Sequence, residues 1–390
     1  MVDSSSTTPR LRIALAHDWL CGVRGGEHVL ERIASLIRRE HEPAGLFTMF
    51  NDGRPIGPSV SAFETHVASL GRRPWSNTLR RWLLAQYPAA VRELSGMLAR
   101  EHARRPIDLV ISTSSAAIKG LRTPPGVPHL CYCHSPARYV WSQTDQYRSG
   151  LRGVGLRIVG ERFRAWDRET ARHVTRFIAN SAHTAAEVRR CYGRDSVVIH
   201  PPVRAMFFEG PLGPREPDAP WLVVSALEPY KRVDLAIDAA NRARHALTVV
   251  GDGSERRALA ARAGPTVTFT GRIDDDQLAS HYQRASVLLF PQVEDFGIVA
   301  VEAQACGLPV VARAAGGALE TVLDVSAVGG SRSTGVLFDK ATPESLLAAI
   351  ARCPGNPEAC RANAQRFSEA RFDEAVRREI TAVRAAAPAR

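Results

Sequence analysis

Two carboxylates flanking a helix start are the plainest chemistry in this 390-residue chain. Glu294 and Glu302 lie in Glu294-Asp-Phe-Gly-Ile-Val-Ala-Val-Glu302-Ala-Gln-Ala-Cys-Gly307-Leu-Pro309, with seven residues between them. If the helix begins near Gly297, Glu294 sits in the preceding turn and Glu302 about one and a half turns inside, so both look into one cleft. Between them, the peptide N–H groups of Phe296, Gly297 and Ile298 are the unpaired donors of a helix N-terminus, where the macrodipole favours phosphate. A carboxylate, a phosphate cradle and a second carboxylate suit a nucleotide sugar. Glu294 would take sugar hydroxyls, the helix start the diphosphate and Glu302 the ribose hydroxyls, since hydroxyls need acceptors.

Other chemistry-bearing residues lie at element ends. Lys231 opens a predicted helix, where the dipole end is already positive, so a lysine there points to an anion nearby that it can neutralise as a leaving group departs. A surface lysine is the bland alternative. Gly25-Gly26 precede the helical pattern Glu27 to Glu40, and glycines there let the backbone approach a ligand, though a plain tight turn needs the same residues. His134, before Ser135-Pro136, ends a predicted strand and can hydrogen-bond a hydroxyl, although a lone histidine is more often structural. Asp274-Asp275-Asp276 superficially matches a metal-binding D-x-D. Followed by Gln277 and an apolar pattern, it reads instead as a helix N-cap with acidic first-turn residues, and no metal is assigned. The absence of G-x-G-x-x-G argues against a nicotinamide or flavin enzyme.

The elements that must position these residues alternate between short apolar runs and helical patterns, as parallel α/β sheets require. Strands are expected at Leu11–Ala16, Gly45–Phe50, Leu109–Thr113, His129–Cys133, Arg176–Ala179 and Ser196–His200 in the first half. In the second half they fall at Trp221–Ser225, Ala246–Val250, Val267–Thr270, Ser286–Pro291 and Pro309–Ala312. Between the sets, residues 201–220 are so rich in proline and glycine that they read as a linker. The expectation is two Rossmann-like parallel-sheet domains facing across a cleft: residues 1–200, and residues 221–390 with the last helix able to return to the first domain. Ligands in such sheets bind beyond the carboxyl ends of the strands, where all these residues fall.

Composition narrows the class further. A chain of 45% hydrophobic and 23% charged residues is ordinary globular protein, and no apolar run reaches membrane-spanning length. The polar segment Met1 to Arg10 resembles neither signal peptide nor anchor, so a cytoplasmic location is expected. Seven cysteines without a CxxC pair argue against a disulfide framework or zinc site. Residues 1–200 carry 29 Lys+Arg against 17 Asp+Glu, whereas the rest carry 22 against 23. That asymmetry points to an anionic partner for the first half, against the alternative of a merely solvated basic face. Basic stretches with aromatics at Arg72 to Arg105 (with Trp75, Leu79, Trp82, Leu83, Leu84, Tyr87, Arg72, Arg73, Arg80 and Arg81) and at Arg148 to Arg176 can lie peripherally on an anionic membrane or pack their apolar side on the sheet. Nothing matches a nucleic-acid motif.

The Glu294–Glu302 stretch resembles the E-x7-E motif of retaining glycosyltransferases of family 4, which have the GT-B fold. Four further segments fall in the family's order: His17-Asp18-Trp19-Leu20 with Arg24-Gly25-Gly26-Glu27; His134-Ser-Pro136-Ala-Arg138-Tyr-Val-Trp141; Glu228-Pro-Tyr-Lys231-Arg232-Val-Asp234; and Gly251-Asp252-Gly253 with Gly271-Arg272. The resemblance implies a donor site of Gly25, Gly26, Lys231, Arg232, Gly253, Arg272, Glu294, Phe296, Gly297, Ile298 and Glu302. It also implies an acceptor side of Asp18, Arg138 and Trp141, with His134, Glu294 and Lys231 catalytic. An arginine that usually precedes the lysine is Ala226 here, and Arg232 or Arg272 would replace it. The motifs look most like bacterial mannosyltransferases of O-antigen and exopolysaccharide assembly. They imply no cofactor, a GDP-mannose donor with UDP-sugars second, and a saccharide or lipid-linked acceptor. The alternatives are a soluble small-molecule acceptor or a sugar-nucleotide epimerase.

Overall fold

A computed structural model describes residues 10–22, 25–73, 75–141, 152–213, 216 and 218–386, without the side chains of residues 81 and 152–158. Arg24, residues 148–151 of the second basic stretch and residues 214, 215 and 217 of the expected linker lie outside them.

The apolar runs fold into two sheets, parallel at every pairing. The first contains β1 (Arg12–Leu20), β2 (Glu42–Asn51), β3 (Thr65–Gly71), β4 (Leu109–Ser114), β5 (His129–Cys133), β6 (Arg176–Ala179) and β7 (Ser196–Val198), in the order β3-β2-β1-β4-β5-β6-β7. The second contains β8 (Trp221–Val224), β9 (Leu247–Val250), β10 (Val267–Gly271), β11 (Val287–Phe290), β12 (Val310–Arg313) and β13 (Gly335–Phe338), in the order β10-β9-β8-β11-β12-β13. In both, chain order reverses beside the first strand, between β1 and β4 and between β8 and β11. Such a reversal parts the following loops and leaves a crevice at the carboxyl edge.

The central strands are buried on both faces, which is why they read as continuous apolar runs: β4, β5 and β11 are buried throughout. Two strands were absent from the sequence expectation. The edge strand β3, Thr-His-Val-Ala-Ser-Leu-Gly, mixes polar and small residues, and β13 is four residues long. β1 runs four residues past its expected end, so His17 to Leu20 form its carboxyl end.

The chain divides into two compact units, residues 1–199 with 373–390 and residues 200–372. The helix Glu369–Ala385 carries the chain into the first unit. There Asp373 accepts from Nε and Nη2 of Arg32 at 2.8 Å and from Arg39 at 2.7 Å, Arg377 pairs with Glu40, and Arg176 with Glu379. Asp373 is buried, so these arginines satisfy a carboxylate that would otherwise be costly to bury.

The basic stretch from Arg72 divides into two outcomes. The helix Tyr87–Arg104 buries Tyr87, Ala90, Val91, Leu94 and Leu98, the packed alternative. Before it, Ser76–Leu79 and Arg80–Trp82 are single helical turns whose Trp75, Leu79 and Trp82 stay exposed. Of the four arginines expected there on a basic face, Arg80 is corrected: its guanidinium bonds the Asn77 carbonyl and lies 5.6 Å over the Trp19 ring.

Candidate active site

In the second unit the loop after β8 and the loop after β11 leave the crevice from its two sides, and they bring together the two residues singled out most strongly from sequence. Lys231 Nζ pairs with Glu294 Oε1, and both side chains are largely covered. Lys231 does not open the helix as expected. It ends a 3-10 turn, Pro229–Lys231, and the helix Val233–Ala243 starts after Arg232, whose φ of 52° is left-handed. That turn aims the ammonium across the crevice rather than along the helix.

The helix after Glu294 runs Ile298–Ala305 from Gly297, close to the expected start. Gly297 has φ of 85°, and a Cβ there would lie 2.9 Å from the Phe290 ring, so glycine is required twice over. The Phe296 side chain is buried against Phe367 and His200, leaving only its peptide group for a ligand. Gly316 and Gly317, not singled out from sequence, hold this loop: Gly317 N–H donates to the Glu294 carbonyl at 2.9 Å, and side chains at either position would strike the backbone of Glu294 or Phe296. Their signal was a glycine pair just after a strand.

Glu302 has different partners from Glu294. It is 6% exposed, with Tyr282 Oη at 3.4 Å and Arg204 Nη2 at 3.8 Å. Burial raises its pKa to about 7, opposed by Arg204 and aided by the nearby Asp275 carboxylate. Arg204 also grips Asp275, with Nη2 2.9 Å from Oδ1. Gly253 fits beneath the β8 loop, where a Cβ would lie 2.4 Å from the Leu227 carbonyl, so packing alone accounts for that glycine. Arg232 pairs with Asp234 at 3.1 Å, and Arg272 is exposed. Asp274 caps the helix Asp275–Arg284 in a full capping box with Gln277, as expected.

In the first unit, His134 follows β5 and the helix Gly25–Glu40 follows β1. They meet: a Cβ added at Gly26 would lie 3.5 Å from His134 Nε2. Among the described residues that nitrogen is buried with no hydrogen-bond partner, which is unusual for a polar atom. Burial and the neighbouring His17 push the His134 pKa down to about 3, so the ring is neutral and serves as a hydrogen-bonding group rather than a cation. Two further residues line this corner. His17 Nδ1 lies 2.6 Å from Thr113 Oγ1, and His17 Nε2 lies 3.8 Å from Glu27, whose pKa is lowered by that histidine against the raising effect of burial. His17 and Glu27 belong to quoted motifs, yet only their neighbours were selected.

Two acceptor-side expectations are corrected. Asp18 is 1% exposed, and its carboxylate accepts four peptide N–H groups: Ser115 and Ala116 at 2.6 and 2.9 Å, Ala117 and Ile118 at 2.8 Å. Its lone pairs are filled by the turn after β4. The Trp141 indole N–H donates to Asp167 Oδ2 at 2.8 Å, within a buried cluster of Asp167, Lys119 and Tyr192, so its polar edge is also taken. Arg138 is close enough to His134 to help depress its pKa.

A family model described as Glycosyltransferase Family 4 matches residues 23–205, and one described as Glycosyl transferases group 1 matches residues 208–370. The chain belongs to the family 4 glycosyltransferases. This glycosyltransferase is 31% identical over 245 residues to a D-inositol 3-phosphate glycosyltransferase of Geodermatophilus obscurus, covering 55% of this chain and 52% of the relative. It is 34% identical over 159 residues to a GDP-mannose-dependent alpha-(1-6)-phosphatidylinositol monomannoside mannosyltransferase of Mycolicibacterium smegmatis, covering 36% of this chain and 40% of the relative. The chain thus spans about half the length or less of these relatives. Among solved structures it resembles sucrose-phosphate synthase of Thermosynechococcus elongatus, with TM-score 0.70, 19% identity, and coverage of 97% of this chain and 100% of that one. It also resembles HepE of Anabaena in complex with UDP, with TM-score 0.69, 16% identity, and coverage of 95% and 100%. These likenesses show the fold, the expected GT-B class. Among the described residues no helix is long and apolar enough to cross a membrane.

Proposed function

We propose that this glycosyltransferase moves a hexose, mannose from GDP-mannose in the first instance, to a hydroxyl of a saccharide or lipid-linked acceptor, with retention of configuration. The observation that carries the reading is the Lys231–Glu294 pair at the strand reversal of the second sheet, beside the glycine-started helix Ile298–Ala305. A cation, a carboxylate and a helix N-terminus are the three groups a sugar diphosphate needs. When donor enters, Glu294 accepts hydrogen bonds from sugar hydroxyls, and Lys231 with the first-turn N–H groups takes the diphosphate. The anomeric C–O bond to phosphate then breaks as the acceptor oxygen bonds to the same face. The departing phosphate oxygen receives the acceptor's proton, and Lys231 neutralises the charge that develops there. Neutral His134 holds a hydroxyl at its Nε2. Lys231 supplies the cation, so the proposed reaction needs no metal.

Two relatives bear on specificity. The Mycolicibacterium enzyme's name specifies GDP-mannose and phosphatidylinositol monomannoside, which supports the donor and the lipid-linked acceptor. The D-inositol 3-phosphate glycosyltransferases favour a second reading, with a soluble, phosphate-bearing acceptor.

The test is a panel of nucleotide sugars read by thermal stabilisation and by slow release of free sugar. A ligand at a hundred times its dissociation constant adds about 2.7 kcal/mol. Stabilisation and hydrolysis with GDP-mannose support the reading, UDP-sugars alone would move it to the other donor, and silence across the panel would sink it.

A further inference from the structure

We propose that residues 75–82 of the first unit form a docking patch for an anionic phospholipid surface, and that this patch holds the carboxyl edge of the first sheet at the membrane. Trp75, Leu79 and Trp82 are 45, 43 and 65% exposed. They recur at four- and three-residue spacing across the α-turn Ser76–Leu79 and the 3-10 turn Arg80–Trp82. Ser76 inside the segment and Leu83 and Leu84 just after it are buried and anchor it to the first unit. Two tryptophans and a leucine left outward at such a spacing are more apolar surface than a solvated turn requires. Tryptophan, with a large apolar body and one N–H, suits the boundary between acyl chains and headgroups.

Charge selects the partner. Arg72 and Arg73 are exposed beside the stripe, and the Arg73 guanidinium lies 5.8 Å from the Trp75 ring centroid. Residues 1–200 carry 29 Lys+Arg against 17 Asp+Glu, so the surrounding field attracts a negative surface.

The patch is fastened to the carboxyl edge of the first sheet. Asn77 Nδ2 donates to the Asn51 carbonyl at 3.1 Å, and Cys21 Sγ to Asn77 Oδ1 at 3.5 Å, tying it to the carboxyl ends of β2 and β1. Arg80 stacks over Trp19 of β1. The same edge carries Gly26 and His134. Docking by Trp75, Leu79 and Trp82 would therefore present that edge to a headgroup-borne hydroxyl. This purpose rests on the reading of a lipid-linked acceptor, while the binding itself does not.

The experiment is co-sedimentation of the full chain with vesicles of phosphatidylcholine alone or mixed with phosphatidylglycerol, with tryptophan emission followed in parallel. Wild type should partition onto the mixed vesicles, shift its emission to the blue, and be released by salt as the Debye length falls below about 10 Å. Trp75→Ser/Leu79→Ser/Trp82→Ser should lower partition by roughly tenfold or more, since three interfacial contacts are lost. Arg72→Gln/Arg73→Gln should lower it by roughly ten- to thirtyfold. Both variants should hydrolyse GDP-mannose in vesicle-free solution at the wild-type rate. Equal partition of wild type onto both vesicle types would overturn the proposal. So would wild-type binding by the triple variant, or a dimer in gel filtration that the triple variant abolishes, which would assign the patch to a second copy. Vesicle binding without turnover of any nucleotide sugar would leave this inference standing and remove the transferase reading; turnover without vesicle binding would do the reverse.

Discussion

The two units share a sheet plan and part company over charge. In the first, the carboxylate nearest the strand reversal, Asp18, is consumed by four peptide N–H groups, and the one left at the corner, Glu27 with its lowered pKa, lies against His17 beside the neutral His134 ring. In the second, the reversal is occupied by an ion pair, Lys231 with Glu294, while Gly317 N–H holds the Glu294 carbonyl. The same topology can thus hold a hydroxyl-binding corner with fixed geometry or a charge pair that a phosphate and a sugar can take over. The first kind is expensive to disturb structurally, and the second is expensive to disturb catalytically.

Removing Asp18 should break that contrast most severely. Asp18→Ala orphans three buried N–H groups and the half-buried one of Ser115, each worth about 1–3 kcal/mol, so the first unit should lose on the order of 4 kcal/mol or more, read as a lowered urea midpoint or failure to fold. A melting point unchanged by this substitution would contradict the structural role given to Asp18. Lys231→Ala and Glu294→Ala should do the opposite, melting near the wild-type temperature while transfer falls about 10² to 10³-fold. Normal turnover in either would remove the pair from the chemistry.

Glu302 sharpens the comparison through pH. Its folded pKa is raised from 4.5 to about 7, so the folded state binds more protons than the unfolded chain within that window. Its contribution to stability is therefore greatest at the acid end and falls as pH rises through the window. Glu302→Gln should gain on wild type between those pH values by up to about 3 kcal/mol, measured as the difference in unfolding free energy. His134, at about 3, should add no titration near neutrality. Gly26→Ala is a subtler probe: its Cβ makes ordinary contact with the His134 ring but fills the space before Nε2. We expect a folded protein with weakened substrate binding, read as a raised KM. Smallest of all, Asp274→Ala should cost about 1 kcal/mol of stability as a lost N-cap and leave transfer unchanged.

These contrasts also explain what could be read from the chain alone. Apolar runs gave β5 and β6 to the residue, because both lie inside the sheet and have no polar face. β3, at the edge, has no such reason to be apolar throughout. The helix start at Gly297 and the Asp274 cap were legible because their partners are within a few residues. Asp18 was misread because its partners lie about a hundred residues away, and a carboxylate at a strand end looks the same whether it holds a loop or a ligand. Lys231 and Glu294 are 63 residues apart, so each was visible and their pairing was not. His17 and Glu27 stayed hidden for the same reason, since only the fold shows which motif residue turns inward.

The return of the last helix has a consequence for the order of events during synthesis. Asp373, Arg377 and Glu379, which bind Arg32, Arg39, Glu40 and Arg176, are translated after every strand of the second sheet. A nascent chain can therefore build the second unit while Arg32 and Arg39 of the first still await their carboxylate. The first unit is closed by a segment made after the whole of the second sheet, and a ribosome that stops short of residue 373 releases a first unit with these contacts missing, a product more open to proteases.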